Sequence, residues 1–376
     1  MEISRKNIAY FFLSVSVLAT VLYLFFFRSL VSEAYHNNAP SWFSNLISLA
    51  YPRFEVEKQR FELAFFQYKA DQIVLRFCLV AVSLSILLLS LSYQKLIKKY
   101  SISRSQGHFR MLRYLFYLGL LIYTWDWYLD FEQIVRMQAF YKGVHIFRLI
   151  GVKPLALPVF YLLFGIYLFS VLLVLLDVKK IWFSAMAALL FIFFQGYFFS
   201  FEKIEHSYTT LTYSAMLMPF LFYELETQNK TKGKLTSFVL FLIQLCISGV
   251  YLLAGIEKLL TSGFSWAGAE TFRTYVYLHE QPLGLMIAES DFFAHLLPWG
   301  ALIFQLVFIL ILFLPTYKLF FLMGGISFHW GTRLLMGIGS FFSPWIFVYI
   351  FFLNFEKITS ILPSRITNII KVKKGI

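Results

Sequence analysis

The sequence predicts an all-α membrane protein, a polytopic bundle of about ten spanning helices with both termini in the cytoplasm. Two observations support this prediction. The 376 residues are 59% hydrophobic and only 14% charged, with a mean hydropathy of +0.70, whereas soluble domains carry roughly 25% charged residues. Apolar runs close to the ~20 residues needed to cross a bilayer also recur along the whole chain.

Hydropathy sets the order of the predicted spans. They are 8–28, 72–93, 111–130, 156–177, 181–200, 207–225, 235–257, 295–314, 317–337 and 340–354. The first run starts at Ile8. Because many more runs follow, it is predicted to be a membrane anchor and not a removable signal peptide.

Lysine and arginine residues cluster in loops that an even number of spans puts on one side. These loops are 94–113, Lys179–Lys180, 229–234 and the tail. The positive-inside rule assigns that side, and both termini, to the cytoplasm. The same clustering explains the net charge of +13, and the expected partner is the lipid bilayer. No nucleic acid is expected as a partner, because the chain carries no motif that binds it.

Two outer loops are predicted to contain helices at the membrane interface. The stretch from Phe54 to Lys69 is a candidate amphipathic helix, in a loop whose basic residues oppose the assigned orientation. In the loop 259–294, residues 265–276 predict a short helix with Ser265 as its cap. Its Trp and Tyr residues suit that depth.

The chain is thus predicted to have three parts. Residues 1–107 form an N-terminal pair of spans with an outer loop and a basic cytoplasmic loop. Residues 108–355 form the main transmembrane domain, and 356–376 form a basic cytoplasmic tail. Cys78 and Cys246 lie in apolar runs without CxxC or CxxH spacing, so neither a disulfide framework nor a metal site is expected.

Lys258 and His206 are the first candidate site residues. Lys258 follows the run 235–257 and His206 precedes the run 207–225, so both are expected near the outer face, on antiparallel neighbouring helices. Burial disfavours a charged ammonium, so such a lysine can accept a proton near neutral pH. The alternatives are that Lys258 snorkels to the interface and that His206 only bonds to water or a backbone carbonyl.

Other ionisable residues lie within predicted spans. His329 and Arg333 are at positions i and i+4 of the ninth span and are expected to face one side. Such residues are candidate site residues, although a helix–helix hydrogen bond explains His329 equally well. Asp126 and Asp130 form a similar pair in the third span. A structural ion pair with a basic residue is their expected role, because the spacing fits no metal site.

Three segments carry a resemblance to a known family. The run Gln244–Leu259, which contains Ala-Gly-Ile-Glu257-Lys258 and precedes Trp266, resembles the lysine segment of the vitamin K-dependent gamma-carboxylase. His206-Ser-Tyr is similar to its histidine segment. Phe-His329, followed by Met336-Gly-Ile-Gly-Ser-Phe, is similar to a third. The ordered set, from about Arg110 to Asn354, is identified with the HTTM (horizontally transferred transmembrane) superfamily. That superfamily includes bacterial carboxylase homologues and the membrane protein that matures the sporulation-delaying peptide.

The resemblance implies a site residue by residue. Lys258 would deprotonate a reduced quinone, His206 would belong to the same cycle, and His329 would support it. Glu257 and Trp266 flank the lysine as further supporting residues. The chain departs from the family where Lys203-Ile-Glu205 precedes the histidine and where Glu257 replaces a lysine. The family's lumenal substrate domain is also not found after the last predicted span, so carboxylase or epoxidase chemistry is left open.

Two functions are carried forward. The first is an outer-face enzyme of a bacterial plasma membrane that uses a quinol or modifies or matures a peptide. The second is a non-catalytic partner or scaffold for a small secreted peptide or another membrane protein, in which Trp266 and Tyr275 would matter more than Lys258. A transporter is disfavoured because the chain has no paired broken helices in two related halves.

Overall fold

The computed structural model describes residues 5–51, 54–89, 105–144, 146–201, 206–226 and 234–356. Every regular element in these ranges is a helix. Five of the described helices are long and apolar enough to cross a membrane, namely Ala9–Tyr35, Leu157–Leu175, Lys180–Phe199, Thr236–Ala267 and Asp291–Leu312. The all-α class and the presence of apolar helices of membrane-spanning length are therefore confirmed.

The chain divides into two compact units, and the first comprises Met1–Tyr100 with Ala139–Pro154. Its main helices are α1 (Arg5–Leu22), α2 (Arg28–Tyr35), α3 (Ser41–Ala50), α4 (Phe54–Glu57) and α5 (Leu63–Leu89). A π-helical turn, Tyr23–Phe27, joins α1 to α2 without a break. Helix α5 packs against both of them.

The predicted amphipathic helix from Phe54 to Lys69 is wrong. Helix α4 ends at Glu57 and α5 begins at Leu63, earlier than the predicted start at 72. The break between them folds the ring of Phe54 onto that of Phe66, with centroids 4.9 Å apart. These two rings join a buried cluster with Leu30, Val31, Ala34 and Phe43. Burial of Phe54 thus outweighs the continuity of an interfacial helix.

The second unit comprises Ser101–Gln138 and Leu155–Ile376. Its helices are α6 (Gln106–Arg136), α7 (Leu157–Leu175), α8 (Lys180–Phe199), α9 (Thr209–Glu226), α10 (Lys234–Ser262), α11 (Ala269–His279), α12 (Pro282–Ala288), α13 (Asp291–Val307), α14 (Lys318–Met336) and α15 (Pro344–Phe347). Helices α7 to α10 pack against one another in chain order. Helix α13 then packs on α10 and α11, and α12 packs on α14.

Short 3₁₀ segments connect several of these helices. They are His206–Tyr208, Gly263–Ala267, Phe308–Leu312, Pro315–Tyr317 and Val348–Phe352. Where a continuous span 340–354 was predicted, the chain forms only α15 and the 3₁₀ segment after it. Four side chains of that 3₁₀ segment are buried, namely Val348, Tyr349, Phe351 and Phe352. Packing inside the unit accounts for its apolar composition.

The end of α10 also differs from the sequence prediction. The helix continues to Ser262, so Lys258 lies about one turn before its C-terminus. Gly263, at φ +60°, ends the helix in the left-handed region that glycine adopts without strain. The prediction that Ser265 caps the next helix is wrong. The hydroxyl of Ser265 donates instead to the carbonyl of Ser262. Gly268 occupies the N-cap position of α11 instead.

Candidate functional site

Helices α10, α11, α13 and α14 enclose a cavity of about 530 Å³, the lysine cavity. Aromatic rings form much of its wall, namely Trp266, Phe272, Tyr275, Phe304 and Phe328. A few polar side chains are set among them, namely Lys258, Thr271, Gln305, Ser327 and Thr332. An apolar cavity of this size with a few converging polar groups is typical of sites for amphiphilic small molecules.

The side-chain nitrogen of Lys258 lies over an aromatic face. Its Nζ is 4.8 Å from the centroid of the Trp266 ring and 3.4 Å from the carbonyl oxygen of Ala254. Within the described ranges, no carboxylate lies within ion-pair distance of this Nζ. Glu257, its neighbour in the chain, instead accepts a hydrogen bond from Thr261 at 3.2 Å.

Trp266 reaches Lys258 because of the chain reversal after α10. Gly263 ends the helix, and the 3₁₀ segment Gly263–Ala267 brings the indole back over the last turn of α10. The cation–π contact joins a helix residue to the segment that follows it, so its geometry depends on the turn. An interaction of this kind contributes about 0.5–2 kcal/mol, more as water is excluded.

His329 lies in a second cavity of about 370 Å³, the histidine cavity. Its Nε2 is 2.6 Å from the hydroxyl of Tyr251, and that hydroxyl is 2.7 Å from the hydroxyl of Tyr349. The imidazole also stacks on Trp345, with centroids 5.9 Å apart and ring planes at 20°. His329 therefore has a fixed orientation, supplied by α10 and by the segment at α15.

A glycine in α14 makes room for the hydrogen bonds that link His329, Tyr251 and Tyr349. A Cβ on Gly325 would lie 2.0 Å from the hydroxyl oxygen of Tyr349. Gly325 is four residues before His329, on the neighbouring turn of the same helix. The hydroxyl of Tyr349 can approach Tyr251 only because this helix position carries no side chain.

The two cavities share part of their walls, including Gln305, Phe328, Thr332 and Ile338. Gln305 is only 6% exposed. Its Oε1 is buried and has no hydrogen-bond partner in the described part of the chain. An unpaired buried acceptor is costly, so this atom identifies a point where a ligand hydrogen-bond donor would be accommodated.

The turn after α14 forms another part of both walls. Gly337 and Gly339 have φ values of +68° and +78°, a conformation that favours glycine. Arg333 donates to the carbonyl of Gly337 at 3.0 Å, and the indole of Trp330 donates to the carbonyl of Phe341 at 3.0 Å. Arg333 is exposed and lines neither cavity. Its position is that of a residue that holds the turn.

His206 and Asp126 can be located only by their backbone. His206 begins the 3₁₀ segment before α9, and Asp126 lies in α6, but both side chains fall outside the described part of the structure. Ser207, next to His206, lines the histidine cavity and a wider opening of about 770 Å³. The backbone at His206 is thus near His329, whereas Lys258 lines the adjoining cavity.

An arginine network braces the wall at the start of α13. Arg273 of α11 donates hydrogen bonds to the carboxylate of Asp291, to that of Glu270 at 3.4 Å, and to the carbonyl of Ala288 at 3.1 Å. The bond to Asp291 raises the pKa of Arg273 above its usual value. The guanidinium therefore stays charged and ties α11 to the start of α13.

Sequence reasoning did not single out three residues of this site, namely Gln305, Tyr251 and Tyr349. Gln305 did carry a signal, since it is a lone amide in the apolar run 301–312. Polar side chains within a span face the protein interior as a rule. The tyrosines carried no such signal, because the chain has 23 of them.

No family model, curated protein or solved structure matches the chain.

Proposed function

We propose that the chain is an integral membrane enzyme of the HTTM type in which Lys258 acts as a base on a reduced quinone. The main observation in support of this proposal is the environment of the Lys258 amine. Lys258 lines an aromatic cavity, over Trp266, and has no carboxylate within ion-pair distance among the described residues. An amine with no carboxylate within ion-pair distance is available to accept a proton from a bound molecule.

The residues of the lysine cavity fit such a ligand. Rings and aliphatic side chains suit the apolar body of a quinone, and the volume of about 530 Å³ suits a ring system with part of a tail. The unpaired Oε1 of Gln305 offers an acceptor for a hydroxyl group. A bound quinone would supply two-electron redox chemistry, which no side chain of this cavity supplies.

The protein's part in the proposal is proton transfer and positioning. Lys258 Nζ takes the proton of a ligand hydroxyl: the O–H bond breaks and an N–H bond forms. The resulting ammonium lies over the face of Trp266, which stabilises a cation and not a neutral amine. Exclusion of water by the aromatic wall favours the neutral amine before the proton is transferred and strengthens the cation–π contact after the transfer. His329 and His206 have supporting roles, and His329 is held in place by Tyr251.

The topology is part of the same proposal. About ten membrane passes would place both termini in the cytoplasm of a bacterial cell, with the lysine cavity toward the outer face of the plasma membrane. Support comes from the basic loops and from the five long apolar helices. A cavity at this depth can receive a lipid-soluble ligand directly from the bilayer.

The test is aerobic oxidation of a reduced naphthoquinone by the full chain in proteoliposomes. Wild type should exceed the rate of empty liposomes, and Lys258→Met should lose this excess by about 100-fold, the lower range for a general base. Lys142→Met, which changes an exposed lysine of the first unit, is the matched control. An intact rate in Lys258→Met would exclude the base role.

A second candidate function is a binding partner for a small secreted peptide. Helices α11 to α13 expose a group of large apolar side chains, namely Tyr277, Leu278 and Phe292, at 54%, 71% and 67%. A photo-crosslinker at Tyr277 in living cells distinguishes the two candidates. Capture of a short peptide that persists in Lys258→Met favours the binding partner, and capture of lipid alone favours the enzyme.

A further inference from the structure

Gln305 lies in the wall between the two cavities, and the oxygen of its side-chain amide is buried without a partner. It is 6% exposed, it lines both cavities, and its Oε1 has no hydrogen-bond partner in the described ranges. Removing an amide oxygen from water without a new bond is unfavourable. A ligand donor in the cavities would supply the missing hydrogen bond.

The close packing of α10 and α13 holds Gln305 in this position. A Cβ on Gly255 would lie 2.9 Å from Cδ2 of Leu306 and 3.3 Å from Cβ of Gln305. The two helices therefore touch at the level of Gly255, and the stem of Gln305 has little room to move. Gly255, which carries no side chain, thus allows Gln305 to lie close to the lysine helix.

Two of the polar side chains that line the lysine cavity, Thr332 and Lys258, are engaged elsewhere. The hydroxyl of Thr332 donates to the carbonyl of His329 at 2.9 Å. Lys258 Nζ is directed at the carbonyl of Ala254 and at the ring of Trp266. Neither is bonded to Gln305, so its Oε1 is open to a donor from a molecule in the cavities.

We propose that Gln305 accepts a hydrogen bond from the head group of an amphiphilic ligand, and that it selects ligands with an O–H donor over their ethers. The aromatic wall holds the apolar body of the ligand. The inference rests on the proposed function only in using the same cavity. It adds a specificity residue and a substrate class, namely ring compounds with a free hydroxyl group.

The test compares two probes, 2-naphthol and 2-methoxynaphthalene, which differ by one methyl group on the donor oxygen. Binding to the full chain in lipid nanodiscs is measured by equilibrium dialysis. Because Lys258 could also accept from the naphthol, the decisive measurement uses the Lys258→Met protein. We expect it to bind 2-naphthol about 10-fold more tightly than the ether, the effect of one buried hydrogen bond.

Adding Gln305→Leu to this background should abolish the preference. Adding Gln244→Leu, a matched change in α10 at a residue that lines neither cavity, should keep it. The inference is overturned if Lys258→Met shows no preference, if the preference survives Gln305→Leu, or if neither probe binds wild type. Loss of quinol oxidation does not enter these outcomes, so failure of the base role and failure of this inference are separately visible.

Discussion

The hydroxyl of Tyr251 lies 2.6 Å from Nε2 of His329, although the two residues are 78 positions apart in the chain. The same hydroxyl is 2.7 Å from that of Tyr349. One buried group thereby connects α10 with α14 and with the 3₁₀ segment Val348–Phe352. Both His329 and Tyr349 bond to the hydroxyl of Tyr251. Removal of that single oxygen atom leaves the half-buried imidazole of His329 and the buried hydroxyl of Tyr349 to find new partners.

Tyr251→Phe tests this connection. The free energy of unfolding should fall by about 1–3 kcal/mol, because the imidazole of His329 and the hydroxyl of Tyr349 lose their shared partner. Denaturant unfolding of the purified protein in detergent measures the change. Tyr277→Phe removes a hydroxyl from an exposed ring and should leave stability unchanged. Equal stability of the two variants would contradict a structural role for the hydrogen bonds of Tyr251.

Two glycines of α14 provide a matched pair. Gly325→Ala should be strongly destabilising, by about 1–3 kcal/mol or more, since its methyl group would lie 2.0 Å from the hydroxyl oxygen of Tyr349. Gly331→Ala should be neutral or stabilising by up to about 1 kcal/mol, because no atom lies within 4 Å and alanine favours a helix. Melting temperatures in detergent compare them, and the reverse order would refute the packing described.

Two glutamines should respond in opposite ways to replacement by leucine. Gln305→Leu should leave the melting temperature of the ligand-free protein unchanged or higher, because it removes an unpaired buried acceptor. Gln244→Leu should lower it by the equivalent of about 1–3 kcal/mol, because the carbonyl of Phe351 loses a donor at 2.7 Å. A large loss in Gln305→Leu would mean that the amide serves stability and not a ligand.

The turn between α7 and α8 should make stability depend on pH. Partial burial acts to raise the pKa of the Asp177 carboxyl, but the bond from Lys180 and the charge of Arg113 outweigh it, so this pKa is lowered. A lowered folded-state pKa stabilises the protein above the normal carboxyl value of about 3.9, and the effect is lost as pH falls through the lowered value.

Asp177→Asn measures that contribution. Asparagine tolerates the φ of +70° at this position. At pH 7 the variant should be less stable by roughly 1 kcal/mol, a modest value because the carboxylate is partly exposed. The difference from wild type should shrink below about pH 4. A difference that stays constant from pH 7 to pH 3 would show that the carboxylate charge is not involved.

Hydropathy predicted the long helices well where they are apolar all round. The runs 156–177 and 181–200 became Leu157–Leu175 and Lys180–Phe199, because backbone hydrogen bonds within a helix are local and need no distant partner. It failed between Phe54 and Lys69, and in 340–354, where buried contacts with distant residues decide how the chain breaks. Gly337 and Gly339 lie where the predicted spans 317–337 and 340–354 meet, and both have a positive φ, which favours glycine.

The sequence by itself determined that the chain is helical and rich in apolar segments. It also identified Lys258 and His329 as ionisable residues at the end of, or within, predicted membrane spans. Only the tertiary structure decided what surrounds them. His329 and Arg333 are one turn apart in α14, yet one lines a cavity and the other is exposed. Periodicity defines the faces of a helix, but which face meets α10 and α13 depends on packing between segments far apart in the chain. The position of Gln305 between the two cavities follows from that packing alone.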